Sequence, residues 1–521
     1  RALKCVVKMK NFSRFARGTG VVLIVLAIWE ILGRLELVGQ GALPAPTQIL
    51  AQLWKDRSDY PPHLSVTLKS AGTGFVIGNI IAIIAGAISA RFRFAETLLR
   101  GLGMSLFAVP LIAIVPVLLL AFTGTTPRII LAAMAVYFPT YIATMNGMRN
   151  VDERLVDVVM VAGGSTTDVL RWIRVRSALP HIVSAFRVAA PAALLGTLLA
   201  EFGGGTRWGL GTYLLGSLGQ ANPSRLWSIG LVATAVAASA YMLFAFIGAR
   251  LSRSSMSATV QTSMPIGEAS GPWWKRLGGG VVSAGVVLGL WALVLSILDM
   301  SPVVAKSPLA IVKYLTTDPR AAESRSRLFD AYSETLPLAL IGLLCGLAAA
   351  LLLAVILSLR PTLGRAVLPF ALVSQTMPLP ALTPLIVLVF GRSILATVVV
   401  CVSVTFFPSF VTISQALATT SPAAIDVVRV SGGGRLKTLR FVGLPGAVPA
   451  MVTAARLAAP RALLGVMIAE YLATGNGLGN LLNESRGRLD YGMIWTVATT
   501  SVLVAVLITQ MFGLAEKLTR K

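Results

Sequence analysis

Long, uninterrupted apolar runs recur along this 521-residue chain. Examples are VVLIVLAIW (21–29), FVIGNIIAIIAGAIS (75–89) and LAAALLLAVILSL (347–359). A helix of about 20 mainly apolar residues spans a bilayer. Backbone polar groups in lipid must be paired internally, so only helices and closed barrels can span it. Because barrel strands would alternate polar with apolar residues, the runs predict an all-α polytopic membrane protein.

The runs predict about twelve transmembrane helices. With the N-terminus inside, the cytoplasmic segments hold most of the Lys and Arg residues, which is the bias that orients membrane proteins. The net charge of +24 is therefore a topology signal, and no basic globular domain is available to bind nucleic acid. Both termini are then cytoplasmic, and the predicted spans are 20–38, 66–90, 104–122, 128–148, 183–203, 226–249, 279–298, 335–358, 368–390, 393–415, 451–472 and 493–514.

The second half of the chain repeats the first. DVVMVAGG (157–164) and DVVRVSGG (426–433) share six of eight residues at an offset of 269. An even number of spans in each repeat makes the two repeats parallel. Equivalent pairs at nearly the same offset are Pro110 with Pro378, Pro116 with Pro384, and Glu201 with Glu470. The predicted domains are a basic cytoplasmic leader (1–19), a first repeat (20–249), a polar Ser/Gly/Pro-rich linker (250–277) and a second repeat (278–521).

The stretch GGGRLKT (432–438) looks like a nucleotide-binding loop. A phosphate-binding loop needs Gly directly before its Lys, so that the backbone can approach the phosphates closely. Here Leu436 precedes Lys437, and no strand leads into the stretch. The three cysteines and two histidines are scattered, without the spacing of a metal site. We therefore expect no catalytic residue, no metal and no bound cofactor in this chain.

GGGRLKT lies in one of two equivalent loops, 149–182 and 418–450, each between the fourth and fifth predicted spans of its half. A Gly-rich break between two short helical pieces predicts a helix–turn–helix. In the first loop, Ser165 and its polar neighbours suit an N-cap for the amphipathic piece DVLRWIRV (168–175). Such a piece can press an apolar face onto a soluble partner. The alternative is that both loops are solvated connectors.

These loops resemble the EAA motif of ABC importer permeases, whose pattern is Glu-Ala-Ala-x-x-x-Gly, nine residues, then Ile-x-Leu-Pro. Both loops depart from it, since Val-Val replaces Ala-Ala and Arg176 takes the Pro position of the first loop. The proline-rich third spans, the AEF and AEY pairs and the repeated GLG resemble nitrate/sulfonate/taurine-type permeases, here with two permease domains fused in one chain. The matching positions are Asp157, Gly163 and Ile173 in the first loop, and Asp426, Gly432, Val442, Leu444 and Pro445 in the second.

The resemblance implies a type I ABC importer in the bacterial inner membrane, with both loops docking on ATPase subunits. The expected partners are two copies of a cytoplasmic ABC ATPase, an external substrate-binding protein or lipoprotein, and the lipid bilayer. ATP and Mg would bind the ATPase and not this chain. The solute would be small, such as nitrate, a sulfonate, taurine or a heterocyclic nutrient.

Two sets of residues are candidates for the pore or gate. Broken helices line cavities in transporters, and the third spans hold equivalent prolines; a simple kink is the alternative. Charged residues near a membrane suggest a functional site, and an equivalent glutamate ends each fifth span; an interfacial helix-end residue is the alternative. The candidates are Pro110, Pro116, Glu201, Pro378, Pro384 and Glu470.

Two other functions fit the general architecture. A twelve-span transporter driven by an ion gradient would need ionisable residues buried mid-span, and the sequence offers almost none. A membrane scaffold that only recruits a soluble partner would not need broken third spans. The sequence therefore favours the ATP-driven importer.

Overall fold

The computed structural model describes residues 23–204, 207–220, 222–251, 282, 285–289, 291–293, 295–297, 301–360 and 377–519. These residues form helices and connecting loops, with no strand among them. The predicted leader 1–19 and most of the linker 250–277 lie outside the described residues.

The described part of the first half contains ten α-helices. They are α1 (23–34), α2 (Pro46–Lys55), α3 (Tyr60–Arg91), α4 (Arg93–Ala108), α5 (Leu111–Ala121), α6 (Thr126–Arg149), α7 (Glu153–Val161), α8 (Thr166–Gly203), α9 (Leu210–Leu218) and α10 (Pro223–Leu251). The described part of the second half adds α11 (Pro308–Thr316), α12 (Ala321–Leu359), α13 (Leu379–Phe390), α14 (Ile394–Ala418), α15 (Pro422–Val430), α16 (Arg435–Leu472), α17 (Gly477–Gly487) and α18 (Tyr491–Thr519).

Eight of these helices are long and apolar enough to cross a membrane: α3, α6, α8, α10, α12, α14, α16 and α18. A ninth crossing results if α4 and α5, which meet at a 97° bend, are counted as one span. The structure thus supports an all-α polytopic membrane protein, and twelve spans are not confirmed. Parts of the predicted spans 20–38, 279–298 and 368–390 lie outside the described residues.

Each half is built around a packed trio of helices. In the first half α6 packs between α3 and α8, and in the second α14 packs between α12 and α16. The close approach depends on small residues, because a Cβ on Gly78 would lie 2.7 Å from the backbone of Ala133 in α6. The two GxxxG pairs, Gly74/Gly78 of α3 and Gly342/Gly346 of α12, are therefore packing positions. A Cβ on either glycine of the second pair would meet Cys401 or Thr405 of α14.

The two halves are joined by exchanged short helices. α5 of the first half packs on α16, α17 and α18 of the second, and α13 of the second packs on α8, α9 and α10 of the first. Leu385 of α13, for example, is buried in a cluster with Leu194 and Leu198 of α8. The largest apolar cluster contains α5 residues together with residues of α16 and α18. The interface between the halves is thus a continuous part of the core.

The short amphipathic helices α2 and α11 precede the second span of their halves. Asp56, at the end of α2, accepts two 2.8 Å hydrogen bonds from the guanidinium of Arg225 in α10. Burial works to raise the pKa of Asp56, but hydrogen bonds from Arg225 and Gln52 outweigh it and hold this pKa below its usual range. This ion pair attaches α2 to the sixth predicted span.

Candidate functional site: two exposed loops and two buried glutamate clusters

The first loop begins with α7 and turns back at Gly163. Asp152 caps α7 by accepting a 3.0 Å hydrogen bond from the backbone N–H of Arg154. Gly163 has φ +79°, a left-handed conformation that favours glycine. Ser165 and Asp168 then form a capping box, with each side chain accepting from the other residue's backbone N–H. The predicted helix–turn–helix and the predicted cap are both confirmed.

The second loop repeats this geometry with a different cap. Gly432 follows α15 and has φ +73°, nearly the value of Gly163. Gly434 occupies the cap position, where no side chain contributes a hydrogen bond. In each loop the first turns of the following helix contain a π-helical stretch, Val169–Arg174 and Leu439–Gly443. The predicted break is thus confirmed in both loops.

The exposed apolar surface lies on α7 and α15. Val161 and Val430 occupy equivalent positions, and each is 89% exposed. Their equivalent neighbours Val158 and Val427 are 66% and 67% exposed. Within the apolar face of the piece 168–175, by contrast, Val169 is buried, Leu170 and Ile173 are partly buried, and Trp172 is exposed. The helix continues into α8 and turns part of this face inward, so α7 offers more apolar surface; docking of the piece 168–175 on a soluble partner stays a prediction.

Most of the residues predicted to form the coupling loops are exposed. Asp157 and Asp426 are exposed on α7 and α15, and Asp426 lies 3.7 Å from Arg429. Gly163 and Gly432 are also exposed, with nothing within 4 Å of an added Cβ. Pro445 is exposed, while Ile173, Val442 and Leu444 are partly buried where the loops join the fifth spans.

Glu201, at the end of α8, lies in a buried cluster that we call the first glutamate cluster. Its carboxyl group accepts hydrogen bonds from the hydroxyl of Thr67 (2.7 Å) and the backbone N–H of Gly211 (2.7 Å). Thr67 in turn accepts a 2.9 Å bond from the N–H of Leu210. The guanidinium of Arg128 lies 3.9 Å from the carboxyl group. This cluster ties α3, α6 and α8 to the start of α9.

The second glutamate cluster repeats this arrangement around Glu470. Thr335 lies 2.8 and 2.9 Å from the two carboxyl oxygens, and it accepts from the N–H of Leu478 at 2.9 Å. The N–H of Gly479 donates to the same carboxyl group at 3.0 Å. This cluster contains a second acid, Glu334, where the first contains an arginine. Glu334 accepts a 2.7 Å hydrogen bond from the N–H of Gly477.

Both glutamates are buried, with 1% of Glu201 and 2% of Glu470 exposed. A carboxyl group surrounded in this way by donors holds two chain segments together. Each glutamate is thus paired at the end of its helix, which is one of the two states, paired or hydrated, that the alternative interpretation allows. Whether the clusters also move with a gate stays a prediction.

The prolines of the third spans differ in what they do to the helix. Pro110 lies between α4 and α5, at the 97° bend. Pro378 caps the start of α13, and residues 361–376 lie outside the described part. Pro116 and Pro384 are buried inside continuous helices, so the prediction that they break the spans is wrong. All four belong to the exchanged helices or their ends, at the interface between the halves; a pore-lining role stays a prediction.

Both halves of the chain match the model of one known family. The family model for the binding-protein-dependent transport system inner membrane component matches the chain twice, over residues 78–256 and 340–521. The chain belongs to this family. It is an ABC transporter permease and an integral membrane protein, with two copies of the permease domain in one chain.

Individual relatives of this permease are about half its length. A "Putative aliphatic sulfonates transport permease protein" of Bacillus subtilis is 29% identical over 203 residues, 38% of this chain and 73% of the relative. A formylaminopyrimidine transport permease protein of Halalkalibacterium halodurans is 31% identical over 167 residues, 32% and 67% of the two chains. A riboflavin transport system permease protein of Chloroflexus aurantiacus is 32% identical over 156 residues, 30% and 58%.

Several residues with defined contacts in the permease fold were not predicted from the sequence. Thr67 and Thr335 complete the glutamate clusters, and the repeated SVTL (65–68) and SETL (333–336) could have revealed them. The glycines of the two GLG motifs bring the backbone against the glutamates, since a Cβ on Gly211 would lie 2.9 Å from that of Glu201. Arg461, in the middle of the fifth span of the second half, was also missed.

Proposed function

We propose that this permease forms the translocation path of an ATP-driven importer in a bacterial inner membrane. The observation that carries the proposal is the pair of equivalent, exposed apolar helices α7 and α15. An apolar side chain that is 89% exposed, such as Val161 or Val430, is costly on a surface that faces only water. Because the same exposed apolar surface occurs in both halves, it fits a partner that binds in two copies.

The partner we propose is a cytoplasmic ABC ATPase in two copies. ATP and Mg would bind the ATPase, and closure of the two ATPases would draw α7 and α15 together. Because α5 and α13 interlock the halves, movement at the loops would reach the path between them. Asp157, Gly163 and Ile173 of the first loop and Asp426, Gly432, Val442, Leu444 and Pro445 of the second would shape the docking surfaces. Both termini would then be cytoplasmic, and an external binding protein would deliver the solute.

The solute we propose is a small organic nutrient. Relatives of this permease are named for the transport of aliphatic sulfonates, formylaminopyrimidine and riboflavin. These names support a polar organic solute of low mass for this chain, and they are compatible with each of the three solutes.

The docking proposal can be tested with charged substitutions at the tips of α7 and α15. We expect Val161→Asp and Val430→Asp each to weaken co-purification of the ATPase encoded beside this chain, and the double variant to abolish it. A matched control is Val303→Asp, which changes a valine that is 64% exposed in the loop between the seventh and eighth predicted spans, on the external side of the predicted topology. Melting temperatures of all four variants should stay close to wild type, because none of these side chains is packed.

Retention of the ATPase by the double variant would contradict the docking proposal. A separate measurement addresses the energy source: uptake by the intact complex in sealed vesicles, with ATP depleted or with the ion gradients collapsed. Loss of uptake only on ATP depletion supports the importer. Loss only on collapse of the gradients would favour the secondary transporter, and ATPase recruitment without any uptake would favour the scaffold.

A further inference from the structure

Arg461 is a cation in the middle of a membrane span, without a charged partner among the described residues. It lies at the centre of the predicted span 451–472, in α16. No hydrogen bond or ion pair joins its guanidinium to any described residue, and its one aromatic contact is the ring of Phe107, 5.8 Å away. Outside the described residues the chain has only two acids, Glu268 in the linker and Asp299 after the predicted seventh span.

The other arginines within the helix cores are partnered. Arg128 pairs with Glu201, and Arg456 donates to Glu516 at 3.0 Å. Arg187 reaches the backbone carbonyl of Ala245. An unpaired charge within a membrane is costly, and such residues face a water-filled cavity or a ligand pathway. Arg461 therefore needs water or a ligand beside it.

The surroundings of Arg461 place it at the interface between the halves. Residues 458–460 and 462–463 on either side of it are buried, whereas Arg461 is partly accessible. Leu457 and Leu464, at helical spacing on the same face, are also partly accessible. Phe107 belongs to α4 of the opposite half, one residue from the end of that helix and next to the 97° bend. One face of α16 thus lines an accessible space beside the broken span of the other half.

The charge is present in only one of the two repeats. RLAAPRALLG (456–465) is equivalent to RVAAPAALLG (187–196), so Ala192 occupies the place of Arg461 in the first half. The proline and the glycine of this segment are shared, and the first half packs without the arginine. A purely structural role would therefore be needed in both repeats. Arg461 therefore gives the second half a charge that the equivalent position of the first half lacks.

We propose that Arg461 recognises an anionic solute in the translocation path. The ligand class is a small organic monoanion with an oxyanion head group, a sulfonate or a carboxylate. The planar guanidinium can hold two oxygens of such a group at once. Phe107 offers an apolar ring for the organic part of the same solute. The inference rests on the proposed function, since it assumes that the interface between the halves is a path.

The test uses a cysteine introduced at position 192 as a reporter of the path. In the full chain with its natural cysteines replaced, the Ala192→Cys variant is reacted with an anionic sulfonatoethyl thiosulfonate reagent and with a cationic trimethylammonium one. We expect Arg461→Gln to slow the anionic reaction by about threefold or more and to speed the cationic one, as the loss of a positive charge from the same path predicts. Arg461→Lys should keep most of the preference. Val303→Cys, in the external loop between the seventh and eighth predicted spans, is the control that should not respond.

Protection experiments identify the ligand class. Butanesulfonate and butanoate should slow the labelling of the Ala192→Cys variant when Arg461 is present and not when it is replaced by Gln, while neutral butanesulfonamide should have no effect. Protection by one anion alone supports the proposal and assigns the head group. Equal protection by the sulfonamide would overturn it. So would equal labelling with and without Arg461, or no labelling at position 192 either alone or with the ATPase bound.

Failure of this inference can be told apart from failure of the proposed function. Co-purification of the ATPase with Arg461→Gln reports the docking loops and the integrity of the fold, and it does not depend on the charge in the path. Retained ATPase without charge-dependent labelling would overturn only the role of Arg461. Charge-dependent labelling without ATPase binding would overturn the importer and keep the anion site.

Discussion

The second glutamate cluster yields a quantitative prediction for Thr335→Val. Valine has nearly the shape of threonine, so the change removes the hydroxyl and leaves the packing. Thr335 is fully buried, and its hydroxyl makes two kinds of hydrogen bond, one to the carboxyl group of Glu470 and one from the N–H of Leu478. A hydrogen bond contributes about 0.5–1.5 kcal/mol, or more when one partner is charged, and a buried N–H left unpaired costs about 1–3 kcal/mol. We therefore expect the variant to lose about 3 kcal/mol of stability.

The equivalent change in the first half should cost less. Thr67 makes the same two bonds, to Glu201 and from Leu210. Arg128, however, remains 3.9 Å from the Glu201 carboxyl group, whereas the residue added beside Glu470 is a second acid, Glu334. We expect Thr67→Val to cost about 2 kcal/mol, since the arginine still compensates the carboxyl group. The two clusters share no residue, so the double variant should be close to additive.

The assay is thermal unfolding of the purified chain in mild detergent, followed by tryptophan fluorescence. For a unit of 150–250 residues, 1 kcal/mol shifts the melting temperature by about 2–4 °C, so Thr335→Val should melt roughly 6 °C lower or more. All variants must be heated at one rate, because unfolding of membrane proteins in detergent is often irreversible. Thr335→Ser should recover most of the loss, and Thr316→Val, at an exposed site, should have little effect. A Thr335→Val protein that melts within about 1 °C of wild type would refute the reasoning.

Three further predictions concern other parts of the fold. Gly78→Leu should destabilise the chain by about 1–3 kcal/mol through overpacking against α6, while Gly72→Leu, on the same helix with nothing within 4 Å, should not; thermal unfolding checks both. Gly432→Ala, at φ +73°, should strain the loop by about 1–2 kcal/mol and weaken co-purification of the ATPase. Gly434→Ala, at φ −80°, is the control and should do neither. Equal effects of the two substitutions would argue against the turn at Gly432. Asp56→Asn should cost about 1–3 kcal/mol at pH 7. Because the pKa of Asp56 is lowered in the folded state, its contribution is present above about pH 4 and is lost as the pH falls through the folded pKa; a difference from wild type that grows below pH 4 would contradict this.

The duplication and the loop chemistry could be predicted from local sequence. Helix formation in lipid depends on continuous apolar runs, and the turn at Gly163 and the cap at Ser165 depend on residues within three positions of each other. For the same reason the expectation of a nucleotide site at GGGRLKT could be dismissed on spacing alone. The number of spans could not be predicted from apolar runs alone, because the chain bends by 97° between α4 and α5, at Pro110.

Contacts between distant residues could not be predicted in this way. Thr67 and Glu201 are 134 positions apart, and Thr335 and Glu470 are 135 apart, so no local pattern pairs them. The exchange of α5 and α13 between the halves likewise depends on how two folded bundles meet.

The sequence by itself determined that this protein is a duplicated helical membrane protein with two equivalent Gly-centred loops. Only the tertiary structure decided which apolar residues of those loops stay exposed, that Glu201 and Glu470 are enclosed by donors, and that Arg461 has no charged partner among the described residues. The physical reason is the range of the interactions. Hydrophobicity, capping and turn geometry act between neighbours in sequence, whereas burial and charge pairing depend on residues that only the packed helices bring together.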